Sequence, residues 1–197
     1  DGRLRLWSLP ERRPIATLAT NVSVLFSAAF SPDGGTLAVP NTSDGTNYLV
    51  QVWDVATRRQ IHELRLSRPV IGVAYSPDGR LLATAGGGMY QRDTPGEVRL
   101  WDTATAKELM AFQAPPAWVY QVAFSSDGRV LAASCGDGVV RLWSTTGSLI
   151  TQLSGHNGFV EPIAFTHDGK QLAAGDQSGY VWLWDWARSH PEVVFKA

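Results

Sequence analysis

Short apolar runs alternate with turn-forming residues along the whole chain. Residues 122–124 and 130–132, for example, are apolar runs on either side of a Ser-Ser-Asp-Gly turn at 125–128. Short apolar strands that flank a turn predict a buried hairpin. A third run, at 139–143, shows the period of two that is typical of a strand. A weaker fourth run follows each third one, so the pattern predicts units of four strands and almost no helix.

The same unit recurs along the chain. A tryptophan ends each third run, at Trp7, Trp53, Trp101, Trp143 and Trp184, and successive tryptophans are 46, 48, 42 and 41 residues apart. Out of phase with them stands a turn of the Ser-Pro-Asp-Gly type, at 31–34, 76–79, 125–128 and 166–169. Proline, aspartate and glycine each favour a tight turn at these positions. A period of about 40 to 45 residues is that of a four-stranded propeller blade.

With these marks the chain resembles the WD40 repeat family. The closing Trp-Asp pair of that family stands at Trp53-Asp54, Trp101-Asp102 and Trp184-Asp185, and weakens to Trp7-Ser8 and Trp143-Ser144. Its Gly-His pair is present at Gly155-His156. The resemblance covers the whole chain and implies an all-β fold, a β-propeller of four-stranded antiparallel blades. It also implies a scaffold for protein–protein or protein–peptide interactions that is not an enzyme.

In that family a histidine, a strand serine or threonine, a turn aspartate and the tryptophan can form a hydrogen-bonded tetrad within a blade. No blade of this chain completes the set. Thr84 fills the strand position of the second blade, and the last blade combines His156 and Trp184 with Ala174 and Ser178 at the other two positions. We therefore expect the blades to depend mainly on apolar packing between neighbours, because a satisfied polar network is missing.

The repeats divide the chain into about four and a half blades. Residues 1–20 align with the second half of a blade, and full blades follow at 21–68, 69–114, 115–154 and 155–197. Since propellers close with four to eight blades, we expect a fragment of a larger propeller, the remaining blades coming from the same parent chain. Two alternatives stay open. A second copy could supply the missing blades, or four blades could close with the half blade as overlap.

Composition limits the possible partners. The chain carries 17 basic and 18 acidic side chains, so no overall field attracts nucleic acid or an anionic membrane. No apolar stretch reaches the roughly 20 residues of a membrane helix, and no signal peptide is visible. We therefore expect a cytoplasmic protein that binds a protein or peptide, and neither nucleic acid nor membrane.

The sequence offers little catalytic or cofactor chemistry. Its four histidines are scattered, with no His or Cys partner at metal-ligand spacing. No serine lies in a Gly-x-Ser-x-Gly elbow, and the glycines at 86–88 lack the Gly-Lys-Ser/Thr of a phosphate loop. Cys135 ends a predicted second strand and is interpreted as a small buried residue. The sequence therefore predicts no catalytic residue, no metal site and no cofactor.

Loop lengths indicate where a partner would bind. The links between second and third strands are long in the first blade, at 40–47, and in the second, at 85–96. They project from the same end of the sheets as the links between blades, and we call that end the loop face. Aromatic, methionine and arginine side chains are enriched at interface cores. The sequence predicts a binding patch on this face made by Arg68, Met89, Tyr90, Arg92, Trp118, Tyr120, Phe159 and Glu161. In the alternative interpretation, Trp118 and Phe159 simply plug the central channel.

Three tryptophans share one side of the last third strand. Trp182, Trp184 and Trp186 are two residues apart, and alternate residues of a strand point to the same face. We expect Trp182 to pack on a further blade.

Three functions stay open at this point. The first is the interaction scaffold. The second is a purely structural segment of a larger regulatory protein, linked to a kinase or NTPase. The third is an enzyme with its site on the loop face, for which Asp93 is the one suitable residue.

Overall fold

Strands account for all the regular structure in the part of the chain that the computed structural model describes, namely residues 3–20, 27–41, 47–87, 94–114 and 117–196. Within these ranges the chain forms one two-stranded sheet and four four-stranded sheets, all antiparallel, and no helix. The predicted fold class, an all-β propeller of four-stranded antiparallel blades, is confirmed. No helix able to cross a lipid bilayer occurs in these ranges.

The strands pair in chain order within each sheet. The two-stranded sheet consists of β1 (Arg3–Ser8) and β2 (Arg13–Thr20). The first blade consists of β3 (Ala29–Phe30), β4 (Thr36–Asn41), β5 (Tyr48–Asp54) and β6 (Arg59–Leu66). The second consists of β7 (Val70–Tyr75), β8 (Leu81–Gly86), β9 (Glu97–Asp102) and β10 (Glu108–Gln113). The third consists of β11 (Val119–Phe124), β12 (Val130–Cys135), β13 (Val140–Ser144) and β14 (Leu149–Leu153). The fourth consists of β15 (Val160–Phe165), β16 (Gln171–Asp176), β17 (Tyr180–Asp185) and β18 (His190–Lys196).

A local hydrogen-bond pattern closes the turn between the first two strands of every blade. In the second blade, Ser76 Oγ donates to Asp78 Oδ1 over 2.6 Å and accepts the N–H of Leu81 over 2.9 Å. The same carboxylate oxygen accepts the N–H of Arg80, and Gly79 adopts a positive φ of 72°. Equivalent pairs are Ser31 with Asp33, Ser125 with Asp127 and Thr166 with Asp168. The hydroxyl and N–H donors lower the pKa of all four carboxyls. The predicted tight turns are thus confirmed, and we call this end of the sheets the turn face.

The aspartate of the Trp-Asp pair closes the next turn, between third and fourth strands. Asp102 Oδ1 accepts the backbone N–H and the hydroxyl of Thr105 over 2.8 and 2.6 Å. Asp54 and Thr57 repeat the arrangement at 2.6 and 2.7 Å. Both aspartates therefore have a local role in the turn that requires no partner molecule.

Apolar clusters lie between successive sheets and stack them side by side. Each cluster draws buried side chains from two neighbouring sheets, as in the pairs Leu4 with Leu37, Val50 with Leu82, Val98 with Leu131, and Leu142 with Leu172. Strand β12 is buried at every residue because the second and fourth blades cover its two faces. A strand covered on both faces needs a continuous apolar sequence, which explains the run at 130–133.

The first strands of the blades form the inner edge of the stack. Contacts run from β3 to β7, from β7 to β11 and from β11 to β15. Across the last of these, Gln121 Oε1 accepts the N–H of Ile163 over 2.8 Å, and Ser134 Oγ donates to the carbonyl of Glu161 over 2.8 Å. At Gly72 a Cβ would lie 2.8 Å from the carbonyl oxygen of Tyr120. Glycine therefore allows the close approach of the second and third blades.

Candidate functional site

Two inner strands bring four predicted patch residues to the loop face. Trp118 directly precedes β11 and Tyr120 is its second residue, while Phe159 directly precedes β15 and Glu161 is its second residue. Because β11 and β15 are adjacent and start at the same end of the sheets, the four side chains enter from one side of the inner edge. Their positions follow from the blade repeat, which places the same strand residue of each blade at the same height.

Three of these side chains form a continuous aromatic line. The ring centroids of Trp118 and Tyr120 are 5.7 Å apart, and those of Tyr120 and Phe159 are 5.4 Å apart. These separations lie in the range of favourable aromatic pairs. All three side chains are half-buried, and Glu161 is exposed. The line therefore offers ring surface to solvent beside a carboxylate.

A cavity of about 290 Å³ opens beside the aromatic line. Its wall is formed by Trp118, Tyr120 and Glu161 together with Ser27, Ile71 and Gln121. The rings of Trp118 and Tyr120 thus line an open space at the inner edge. Burial, and secondarily the nearby Glu161 carboxylate, raises the pKa of Tyr120. Its hydroxyl stays protonated at neutral pH and can donate a hydrogen bond to a ligand.

Among the other predicted patch residues, Arg68 is described by the structure and is not part of this wall. Arg68 is half-buried, and its guanidinium donates to the carbonyl of Pro95 in the link that leads to β9. Met89, Tyr90 and Arg92 lie outside the described residues, as does Asp93, so their place in the patch stays a prediction.

The tryptophans that end the third strands have different polar partners in different blades. In the second blade, Trp101 Nε1 donates to Thr84 Oγ1 over 3.1 Å. In the fourth, Trp184 Nε1 donates to His156 Nε2 over 3.3 Å. In the first, Trp53 Nε1 is buried and finds no acceptor among the described residues. The prediction that no blade completes the tetrad agrees with these partial networks.

His156 acts as a structural link between two blades. Its Nε2 accepts the indole hydrogen of Trp184, so the ring proton belongs on Nδ1, which lies 3.0 Å from the carbonyl oxygen of Gly138 in the third blade. Burial lowers the pKa of His156. The neutral ring with its proton on Nδ1 satisfies both bonds.

The prediction for Trp182 is wrong. Its ring stacks on Trp184 with centroids 5.9 Å apart and an interplanar angle of 13°, and it packs against the cluster between the third and fourth blades. Its Nε1 donates to Asp176 Oδ2 over 2.9 Å. The two-residue period correctly placed Trp182 on the side of Trp184, but that side faces the preceding blade.

The sequence interpretation also missed an ion pair beside Cys135. Arg141 and Asp137 form two hydrogen bonds, of 3.0 and 2.6 Å. The Arg141 side chain is 10% exposed, so little water competes for its charge. Burial raises the pKa of Cys135 to about 11, which keeps it a neutral thiol.

Comparison with known proteins agrees with the repeat pattern. The family model "WD domain, G-beta repeat" matches residues 58–102, 106–144 and 147–185. Each match takes the fourth strand of one blade and the first three strands of the next, so every matched unit connects two blades covalently.

Several curated proteins are similar to the chain. The small ribosomal subunit protein RACK1y of Oryza sativa is 30% identical over 154 residues, covering 75% of this chain and 42% of that protein. The WD repeat-containing protein VIP3 of Arabidopsis thaliana is 30% identical over 172 residues, covering 80% of the chain and 50% of that protein. The Protein LST8 homolog of Drosophila melanogaster is 29% identical over 155 residues, 74% of the chain and 46% of that protein.

These matches establish the class of protein. The chain belongs to the WD40 repeat family, whose members are typically non-catalytic scaffolds for protein interactions. It spans about half the length or less of the curated relatives that it matches.

Proposed function

We propose that the protein is a non-catalytic scaffold that binds a protein or peptide partner at the loop face. The observation that supports this most directly is the half-buried aromatic line of Trp118, Tyr120 and Phe159 beside the exposed Glu161. Aromatic side chains at the centre of an interface contribute much of the binding free energy. In this proposal Met89, Tyr90 and Arg92 extend the patch from the second blade, and Arg68 supports its edge.

The chemistry of the patch indicates the kind of ligand. The aromatic wall fits an apolar or aromatic side chain of the partner, and Glu161 fits a basic group or a backbone N–H. The net charge of −1 supports a protein partner over nucleic acid or an anionic membrane. A cytoplasmic location is part of the same proposal, as is the division into blades at 21–68, 69–114, 115–154 and 155–197 after a half blade at 1–20.

Affinity capture with the full-length protein tests the patch. Replacing Tyr120 with alanine removes the central ring, and Glu161→Lys reverses the exposed charge at low risk to the fold. We expect each change to weaken partner capture by about tenfold or more, the range of an interface hot spot. Glu11→Lys is the matched control, because Glu11 is 53% exposed in a turn of the two-stranded sheet.

The melting temperature of each variant separates binding from folding. Glu161→Lys and Glu11→Lys should melt within a few degrees of the wild type, since exposed substitutions change stability by about 0.5 kcal/mol or less. Identical partner sets captured by all variants, including Tyr90→Ala and Arg92→Ala, would reject the patch, and the absence of any specific partner would favour a purely structural role.

A further inference from the structure

A second cavity, of about 310 Å³, lies between the first and second blades at the turn face. It is at the opposite end of the strands from the aromatic line. Its apolar wall comes from Val52, Ile61 and Leu64 of the first blade and from Leu82, Trp101 and Ala106 of the second. Ile61 stands at its mouth with 46% of its surface exposed. We call this cavity the interblade cleft.

The space of the cleft reflects smaller side chains at two positions of β6, His62 and Leu64, than at the equivalent positions of β10. His62 pairs with Val52 and Leu64 with Val50, as Met110 pairs with Leu100 and Phe112 with Val98. Met110 and Phe112 thus occupy, between the second and third blades, the positions that His62 and Leu64 occupy here.

The larger side chains fill the equivalent space at the next blade boundary. Phe112 packs on Trp143 with ring centroids 5.3 Å apart. The end of Met110 lies so close to Gly147 that a Cβ there would be 3.1 Å from the methionine sulfur. At the boundary after that, Thr151 Oγ1 lies 2.5 Å from Ser189 Oγ. Between the first and second blades, the smaller side chains of His62 and Leu64 border the cleft instead.

The inner part of the cleft is fixed by a contact between the two blades. The hydroxyls of Thr36 and Tyr75 lie 3.0 Å apart and form a hydrogen bond across the boundary. Of the strands that supply the apolar walls, β5, β8 and β9 are paired on both sides, whereas β6 is the outer edge strand of the first blade. The Thr36–Tyr75 bond and the paired strands hold the inner part of the opening in place.

Charge at the rim indicates the occupant. Asp33, Asp78 and Asp102 line the cleft, and the described residues of its wall include no lysine or arginine. Arg80 approaches Asp78 to 3.9 Å and the charge of Lys107 acts on Asp102, but both cations are exposed, so solvent screens them. The turn hydrogen bonds keep the three carboxylates ionised by lowering their pKa values. An acidic rim around an apolar cleft is complementary to an apolar side chain flanked by cationic ones.

We propose that the interblade cleft binds a short linear peptide segment of a partner protein, with a large apolar side chain inserted under Trp101 and lysine or arginine residues beside it. This surface is separate from the loop-face patch, so one protein can hold two partners, or two parts of one partner, at opposite ends of its blades.

The test starts from a phage-displayed library of random linear peptides, selected in parallel on the whole protein and on the variant H62M/L64F. The double substitution copies the side chains of β10 into β6 and fills the cleft. We expect the wild type to enrich peptides with an apolar residue next to lysine or arginine, and the filled variant to lose them. The absence of any such peptide that distinguishes the wild type from the filled variant, or selective enrichment of acidic peptides on the wild type, would overturn the proposal.

A surface variant tests peptide binding in the cleft even if the filled variant does not fold. Ile61→Lys places a cation at the mouth of the cleft, and Ile150→Lys is its control, because Ile150 has the equivalent register on β14 and is 45% exposed. The selected peptides should bind Ile61→Lys about tenfold or more weakly, the loss expected for one apolar anchor, and Ile150→Lys as the wild type. Equal affinities for the two variants would contradict the proposal.

Two further measurements separate other occupants and the other site. Sedimentation velocity that showed a dimer abolished by Ile61→Lys would assign the cleft to a second copy of the chain, and overturn the peptide proposal. Glu161→Lys should leave peptide affinity unchanged. A negative result for the cleft variants would therefore leave the loop-face proposal standing. A negative result for the loop-face variants would likewise leave the cleft proposal standing.

Discussion

The hydrogen bond from Trp101 to Thr84 offers a direct measure of what one polar pair adds to an otherwise apolar blade. The two side chains are 5% and 1% exposed, and their nitrogen and oxygen are 3.1 Å apart. Replacing Thr84 with valine keeps the shape of the side chain and removes the acceptor. The indole N–H is then buried without a partner, which costs about 1–3 kcal/mol.

Urea unfolding followed by far-UV circular dichroism measures this loss. With a slope of about 2 kcal/mol per molar urea, the midpoint should fall by roughly 0.5–1.5 M while the slope stays the same. Thr17→Val is the control, because Thr17 is an exposed strand residue and the same exchange there should change stability by about 0.5 kcal/mol or less.

Two outcomes would refute the reasoning. An unchanged midpoint in Thr84→Val would mean that the hydrogen bond contributes nothing to folding. The first blade is the natural comparison, because its Trp53 N–H is buried without an acceptor among the described residues. An equal fall in Thr17→Val would mean that the exchange acts through the strand and not through the hydrogen bond.

Two further predictions concern contacts between blades. Gly72→Ala should lower the free energy of unfolding by about 1–3 kcal/mol, because the added Cβ would lie 2.8 Å from the carbonyl oxygen of Tyr120. A urea midpoint equal to that of the wild type would show that the second and third blades can move apart at no cost in stability. The pKa of His156 is lower in the folded protein than its value of about 6.5 in the unfolded chain. The stability that the neutral ring provides is therefore fully present above about pH 6.5 and is lost as the pH falls from there through the folded pKa. The wild type should therefore lose more stability than His156→Gln between pH 7 and pH 5, and parallel curves for the two proteins would contradict the assignment.

The predictions that succeeded from sequence concern interactions within a few residues. The Ser-Asp turn at 76–79 depends on atoms at most five residues apart, such as Ser76 Oγ and the N–H of Leu81. The alternation in 139–143 likewise identified β13. Such contacts form in the same way in any sheet, so the residue types alone indicate them.

The predictions that failed, or that the sequence did not offer, concern contacts between sheets. The period of two placed Trp182 and Trp184 on one side but not against the correct neighbour. Nothing in the run at 59–66 announces a cleft, because the space is defined by comparison with Phe112 and Trp143 at another boundary. The loop-face residues are an intermediate case, since the blade repeat alone places Trp118 level with Phe159 and Tyr120 level with Glu161, whereas the contacts between the rings depend on how the blades pack.

The sequence by itself determined the repeating four-stranded unit, its tight turns and the apolar character of the strands, because each depends on local backbone preference and on which side chains avoid water. Only the tertiary structure decided which side chains of adjacent blades meet. That choice depends on the packing distance between sheets and on the summed volumes of side chains far apart in the chain. The aromatic line, the His156 link and the interblade cleft all arise at this level.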